Sequence, residues 1–250
     1  MLVVVTGAST GFGYHISKLL VEHGHKVIGV ARREDKLAEL KNELKDQFYP
    51  LVIDMTELDS IATKLESLPE DFKIDKIDAL VNNAGLALGL ASADKASLDD
   101  WYRMIDTNIK GLVTITHVLL PYFVKNNKGT IINMGSVAGN YPYPGANVYG
   151  GTKAFVEQFS LNLRADLAGY NIRVTNIEPG LCGGTEFSLV RFHGDQNKAD
   201  NVYDGVKALS PEDIANTVDW ILALPEHVNV NRIELMPVMQ SFNGFNVVKK

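Results

Sequence analysis

Leu2-Val3-Val4-Val5-Thr6-Gly7-Ala8-Ser9-Thr10-Gly11-Phe12-Gly13 decides the fold of this chain. Its first four residues form a continuous, largely β-branched run, too short for a helix and apolar on both faces, as a central parallel strand is. The run passes straight into a glycine turn and then into Ile16, Leu19, Leu20 and His23 at helical spacing, with Gly24 as the stop signal. Strand, glycine turn and helix in that order are the setting of a dinucleotide fingerprint. Glycines admit a pyrophosphate close to the backbone, and free amides at the helix N-terminus bind it. The spacing here is Gly-x-x-x-Gly-x-Gly, not the Gly-x-Gly-x-x-Gly of the general motif. A turn that serves only tight packing is the competing account.

Outward from this stretch, strands and helices alternate to the end of the chain. Strand-like runs are expected at 26–31, 49–53, 77–81, 130–134, 172–177 and 232–235. Helical patterns lie between them, the longest over 97–126 and 147–168. The pattern predicts an α/β fold: one Rossmann-type domain over 1–250, with a doubly wound parallel sheet of about seven strands and helices on both faces. The connection 181–208 is long, polar and broken by glycines, as binding lids commonly are. An apolar tail runs to Val248.

In such a sheet the strand carboxyl ends share one edge, where ligands bind. Arg32-Arg33 stands at the second strand end. An acidic residue here would hold ribose hydroxyls, whereas arginine accommodates the 2′-phosphate of NADP; solvated loop charges are the alternative. Asp54, at the third strand end, serves either an adenine amino group or, with Thr56, the start of the next helix. Asn82-Asn83-Ala84-Gly85 suits a segment bracing the sheet edge near a ligand, and also a structural turn. Asn108 lies mid-helix near Gly111, where a water-mediated kink can form; alone it reads as a surface residue.

Tyr149-Gly150-Gly151-Thr152-Lys153 places a phenol and an ammonium one helical turn apart. Two unit charges ~4 Å apart at an effective dielectric of ~20 interact by roughly 4 kcal/mol. That is enough to bring a phenol whose free pKa is about 10 toward the neutral range. The pair alone is common on solvated helix faces. Arg191, in the 181–208 connection, is a candidate counter-charge for a substrate carboxylate, with an ordinary surface position as its alternative.

The bulk properties exclude several classes. Net charge is -6, with a pI near 5.5, which argues against nucleic-acid partners. The apolar stretch 112–124 is interrupted by Thr114, Thr116, His117 and Pro121, so no membrane span is expected. The first strand begins at Leu2, ahead of which no leader is legible, and the single cysteine, Cys182, forms no internal disulfide. A cytoplasmic protein is expected, with Cys182 a wall residue lacking a sequence-near histidine to activate it. No metal site is expected.

With these residues in view, the chain resembles the short-chain dehydrogenase/reductases along essentially its whole length. The resemblance rests on Thr6-Gly7-x-x-x-Gly11-x-Gly13, Asn82-Asn83-Ala84-Gly85, Asn108, Ser136, Tyr149-x-x-x-Lys153 and Pro179-Gly180. Within that family, 82–89, 106–108, 147–149 and 178–187 look most like the bacterial NADP-dependent 3-hydroxy acid dehydrogenases, also described as serine or L-allo-threonine dehydrogenases and malonic semialdehyde reductases.

The resemblance implies that Tyr149 is the general acid/base and Ser136 orients the substrate oxygen. It implies that Lys153 holds the nicotinamide ribose and lowers the tyrosine pKa, while Asn108 supports the proton relay. NADP would be bound by Gly7, Ala8, Ser9, Thr10, Gly11, Phe12, Arg32, Arg33, Asp54, Met55, Asn82, Tyr149, Lys153, Pro179, Gly180, Leu181, Cys182, Gly183, Gly184, Thr185, Glu186 and Phe187. A small 3-hydroxy or 3-oxo acid would meet Ser136, Tyr149 and Arg191. A homotetramer is also implied, with the long helices and the C-terminal tail as candidate interfaces. Gly183-Gly184 sets Thr185 one place later than the family's commoner Pro-Gly-x-x-x-Thr, which leaves open the group that touches the nicotinamide amide. The charges Arg191, His193, Asp195, Lys198 and Asp200 argue against a carbonyl or hydroxysteroid reductase, and intact Ser136, Tyr149 and Lys153 argue against a non-catalytic NADP sensor.

Overall fold

Strand β1 (Leu2–Thr6) is buried at every position, and the chain turns at once into helix α1 (Gly11–Glu22). Gly7 adopts φ +70°, and a Cβ on Gly13 would lie 2.3 Å from the Gly7 carbonyl oxygen, so only glycines let the helix start this close to the strand. There follow β2 (Lys26–Ala31), α2 (Glu34–Leu44), β3 (Phe48–Val52), α3 (Leu58–Glu66) and β4 (Ala79–Asn82). The second half runs α4 (Leu98–Ile105), α5 (Leu112–Asn126), β5 (Gly129–Met134), α6 (Asn147–Asp166) and β6 (Ile172–Pro179), then α7 (Phe187–Arg191), α8 (Gln196–Asn201), α9 (Pro211–Ala223) and β7 (Arg232–Leu235). This computed structural model describes residues 1–241; of the tail that follows Leu235 and was expected as an interface, 242–248 lie outside the described residues.

The strands form one parallel sheet of order β3-β2-β1-β4-β5-β6-β7. The order reverses between β1 and β4, which opens a crevice at their carboxyl ends. Alternate strand residues feed two cores. Val4, Ile28, Val30, Leu80 and Ile131 pack with Ile61 and Leu65 of α3, Ile115, Leu119 and Phe123 of α5, and Leu163 of α6. Val3, Val5, Val27, Val81 and Ile132 pack on the opposite face with Ile16 and Leu20 of α1, Leu37 and Leu40 of α2, and Ile214 and Val218 of α9. The sheet is therefore covered on both sides, as its apolar strands require.

Three local readings change. Residues 97–126 are not one α-helix: α4 and α5 are joined by a π-helical turn at Asp106–Gly111, near the kink anticipated beside Gly111, which widens the helix and turns Asn108 inward to 1% exposure, where the residue taken alone read as a surface one. Strand β6 runs on through Pro179 because Glu178 and Pro179 still pair with Glu234 and Leu235 of β7. The 181–208 connection carries α7 and α8, the latter capped by the Asp195 carboxylate accepting from Lys198 N.

Phe48 is fully buried in the core beneath α1 and α2, its ring filling the space that a Cβ on Gly29 would enter. Phe48→Ala should lower unfolding free energy by about 3–5 kcal/mol, read as a fall in the urea midpoint; an unchanged midpoint would show that this core is not close-packed.

Candidate active site

The crevice is a cleft of about 540 Å³, floored by the glycine turn and the strand ends and walled by the segment after β6. That volume suits a sizeable organic ligand. Of the residues expected at a nucleotide, Gly7, Ser9, Thr10, Gly11, Phe12, Arg32, Arg33, Asp54, Met55, Pro179, Gly180, Leu181, Cys182, Thr185, Glu186 and Phe187 line it, as do Ser136, Tyr149, Lys153 and Arg191.

The other expected residues do not line it. Ala8 is buried behind the turn, against β2. Asn82 is buried at the end of β4, and its amide donates to Thr116 Oγ1 of α5 at 2.9 Å and to Asn133 Oδ1 of β5 at 2.8 Å. Strand alternation aims it into the sheet, so it braces neighbours and the lining begins at Asn83. Gly183 and Gly184 line a neighbouring depression with His15, Tyr203 and Pro211.

Asn83 ties the floor together: its Nδ2 donates to the Thr6 carbonyl at 2.8 Å, and Thr6 Oγ1 accepts from Asn83 N and Ala84 N. Asn108, at the π-turn, accepts from Leu86 N at 2.8 Å and donates from Nδ2 to Leu86 O at 2.8 Å and Thr152 Oγ1 at 3.1 Å. This locks the segment after β4 to α6, one residue before Lys153. Asn108 is not itself in the lining.

Ser136 begins the short helical turn after β5; its hydroxyl accepts from Ala138 N at 3.1 Å and donates to Pro179 O at 3.4 Å. Lys153 Nζ donates to Met134 O at 2.7 Å and stands 5.8 Å from the centroid of the Tyr149 ring. Arg191 is not a surface residue. Its guanidinium lies 5.4 Å from the Tyr149 ring and 5.9 Å from that of Phe187, and its Nη2 donates to Tyr143 Oη at 2.5 Å. The sequence reading missed Tyr143; the only signal was the Gly-, Pro- and Tyr-rich character of 137–146.

Burial dominates the electrostatics. It pushes the Tyr149 phenol up to about 12, outweighing the Ser136 hydrogen bond and the Arg191 charge that pull it down. Burial likewise pushes Lys153 down to about 8. Within the protein's own field the direction at Tyr149 is thus opposite to the expected lowering by Lys153, whose ammonium faces a backbone carbonyl. Burial also pushes the Cys182 thiol up to about 12, so it is a wall residue and not a thiolate nucleophile. Among the described residues there is no cluster of side chains fit to hold a metal ion.

A model of the short chain dehydrogenase family matches residues 1–194. The chain belongs to the short-chain dehydrogenase family. Two relatives span nearly its full length. A probable NADP-dependent dehydrogenase of Haemophilus influenzae is 61% identical over 99% of this chain and 97% of its own length. The NADP-dependent 3-hydroxy acid dehydrogenase of Escherichia coli K12 is 56% identical over 99% of each. Among solved structures, a closed form of serine dehydrogenase complexed with NADP+ has a TM-score of 0.98 and 55% identity over the whole of both chains. Like that structure, this short-chain dehydrogenase has one parallel sheet of seven strands.

Lys153 also gives stability a defined pH dependence. Unfolded, it titrates near the ordinary ~10.4; folded, near about 8. Between these values the unfolded chain holds the extra proton, so unfolding free energy rises with pH. Urea titrations of wild type and Lys153→Met should therefore diverge in favour of wild type from pH 8 to 10 and run parallel below pH 8; a constant difference throughout would place the lysine in water.

Proposed function

We propose that this enzyme transfers a hydride between NADP(H) and the 3-hydroxyl or 3-oxo carbon of small 3-hydroxy acids such as L-serine, L-allo-threonine or 3-hydroxypropionate. The observation that carries the substrate is the guanidinium of Arg191, 5.4 Å from the Tyr149 ring in the same cleft. A carboxylate held by that cation and by Tyr143 brings the next carbons of a short chain to the phenol. A wholly apolar ketone would leave Arg191 without an anion.

The residues present fit NADP. The glycine turn has no room for side chains where a pyrophosphate approaches, α1 offers its free amides, and Arg32 and Arg33 at the end of β2 supply positive charge for a 2′-phosphate. When bound, NADP+ supplies the hydride acceptor and a positive charge within the cleft.

The chain supplies the rest. Tyr149 Oη takes the hydroxyl proton during oxidation and returns it during reduction. Ser136 Oγ donates to the substrate oxygen as negative charge develops there. Lys153 holds the ribose and keeps its proton at pH 7, a positive charge that favours tyrosinate once the two groups are drawn together, and Arg191 already pulls the phenol down. Asn108 keeps the backbone beside Lys153 open to a proton path. The whole chain 1–250 acts as one domain with a substrate segment at 181–208, works in the cytoplasm and assembles as a homotetramer. The single cysteine and the lack of a membrane-length apolar helix among the described residues support that location, and family likeness supports the assembly.

The deciding assay follows NADP+ reduction with L-serine, L-allo-threonine, 3-hydroxypropionate and 3-hydroxyisobutyrate, and NADPH oxidation with malonic semialdehyde. Turnover with NAD(H) alone would refute the cofactor assignment. Arg191→Met should raise KM for these acids about tenfold or more, the loss of a charge-assisted carboxylate bond, and an unchanged KM would remove Arg191 from the substrate. Tyr149→Phe should retain NADPH binding by fluorescence titration and lose nearly all turnover; substantial residual activity would mean that another group moves the proton.

A further inference from the structure

Arg32 and Arg33 are adjacent in sequence and differ in what they hold. Arg32 is 62% exposed, and its one ion pair is a long one, 3.7 Å to Asp54 Oδ2. Asp54 is itself occupied by Thr56, accepting from its amide at 2.9 Å and its hydroxyl at 2.8 Å. Arg33 is committed. Its Nη2 donates to Thr10 Oγ1 at 3.0 Å and to Glu186 Oε2 at 3.0 Å, with Nη1 at 3.5 Å from Glu186 Oε1. The two-point geometry is the forked contact that arginine makes with a carboxylate.

Glu186 is the residue immediately before α7, whose two ends carry Phe187 and Arg191 against the Tyr149 ring. Thr185, one residue earlier, lies directly over the glycine turn: a Cβ on Gly11 would be 3.3 Å from its Cγ2. The Arg33–Glu186 pair thus bridges the mouth of the cleft, from the nucleotide edge on β2 to the substrate segment after β6.

We propose that Arg33 and Glu186 are a clasp that fastens the 185–191 segment across the bound nucleotide, and that discrimination for the 2′-phosphate falls to Arg32. The clasp acts on any dinucleotide in the cleft, because it pulls on the segment and not on the phosphate. Arg32 acts on NADP alone, because only NADP carries the group it meets. The segment that the clasp holds also carries Arg191, so opening it loosens the substrate carboxylate site as well. This proposal rests on the NADP reading above, and its test separates the two.

Dissociation constants for NADP+ and NAD+, by fluorescence titration, and KM for L-serine are measured on wild type, Arg32→Met, Glu186→Gln, Arg33→Glu and the charge-swapped double variant Arg33→Glu/Glu186→Arg. Arg32→Met should weaken NADP+ about tenfold or more while leaving NAD+ nearly unchanged. Glu186→Gln should weaken both nucleotides together, about two- to fivefold as expected for a half-exposed ion pair, and raise KM for L-serine. The swapped pair should recover most of what Arg33→Glu loses.

Selective tightening of NADP+ by Glu186→Gln would make Glu186 a competitor of the phosphate and overturn the clasp. So would unchanged constants, or failure of the swapped pair to recover. Loss of discrimination in Arg33→Glu that the swap does not restore would assign the phosphate to Arg33. Wild type binding NAD+ as tightly as NADP+ would instead overturn the cofactor reading, whatever Glu186→Gln does.

Discussion

The seven strands of the described residues run in one direction, so all end on one edge, and the residues that follow β1 to β6 are delivered to the same cleft. Parallel strands demand apolar cover on both faces, which the helices supply from two sides. The polar groups that this architecture cannot bury are expelled to the strand ends. The crossing between β1 and β4 leaves a crevice there, walled by the segment after β6. The glycine turn, Arg32 and Arg33, Asp54, Ser136 and Pro179 come from parts of the chain far apart in sequence, and the sheet alone puts them together.

The edge also sets the electrostatics. Tyr149 and Lys153 sit on the first turns of α6 and are both buried, without a carboxylate paired to the ammonium. A buried ammonium facing a carbonyl sheds its proton more readily, and a buried phenol keeps its own more tightly; both shifts take that direction. Positive charge in the cleft pulls the raised phenol back down, and it does nothing to restore the lysine. Arg191 already contributes part of that charge, and the segment that carries it is fastened at its other end to Arg33.

What could be read from the sequence follows from what each signal depends on. The glycine turn, the alternation of strands and helices and the Tyr149–Lys153 spacing are local, and local patterns survive folding. Asn108 taken alone read as a surface residue, because helical spacing assumes 3.6 residues per turn; its nearness to Gly111 hinted at a kink, and the π-turn at 106–111 rotates it inward. The strand-end position of Asn82 read as a brace of the sheet edge, and only the family resemblance gave it to the nucleotide; which neighbour it braces is set by register, and Thr116 lies 34 positions away. Tyr143 had no signal of its own, since its role exists only where Arg191 meets it across 48 residues.

A chain of net charge -6 is an unpromising host for a polyanionic nucleotide and a carboxylate, if charge is counted over the whole surface. The cleft reverses the balance locally. Among the described residues Arg32, Arg33, Lys153 and Arg191 line it against two acids, Asp54, tied to Thr56, and Glu186, tied to Arg33. Low-dielectric walls focus that local charge, so anions are drawn to the edge. The same two acids prevent the cations from repelling one another when nothing else neutralises them, which is how a cationic cleft persists in an acidic fold.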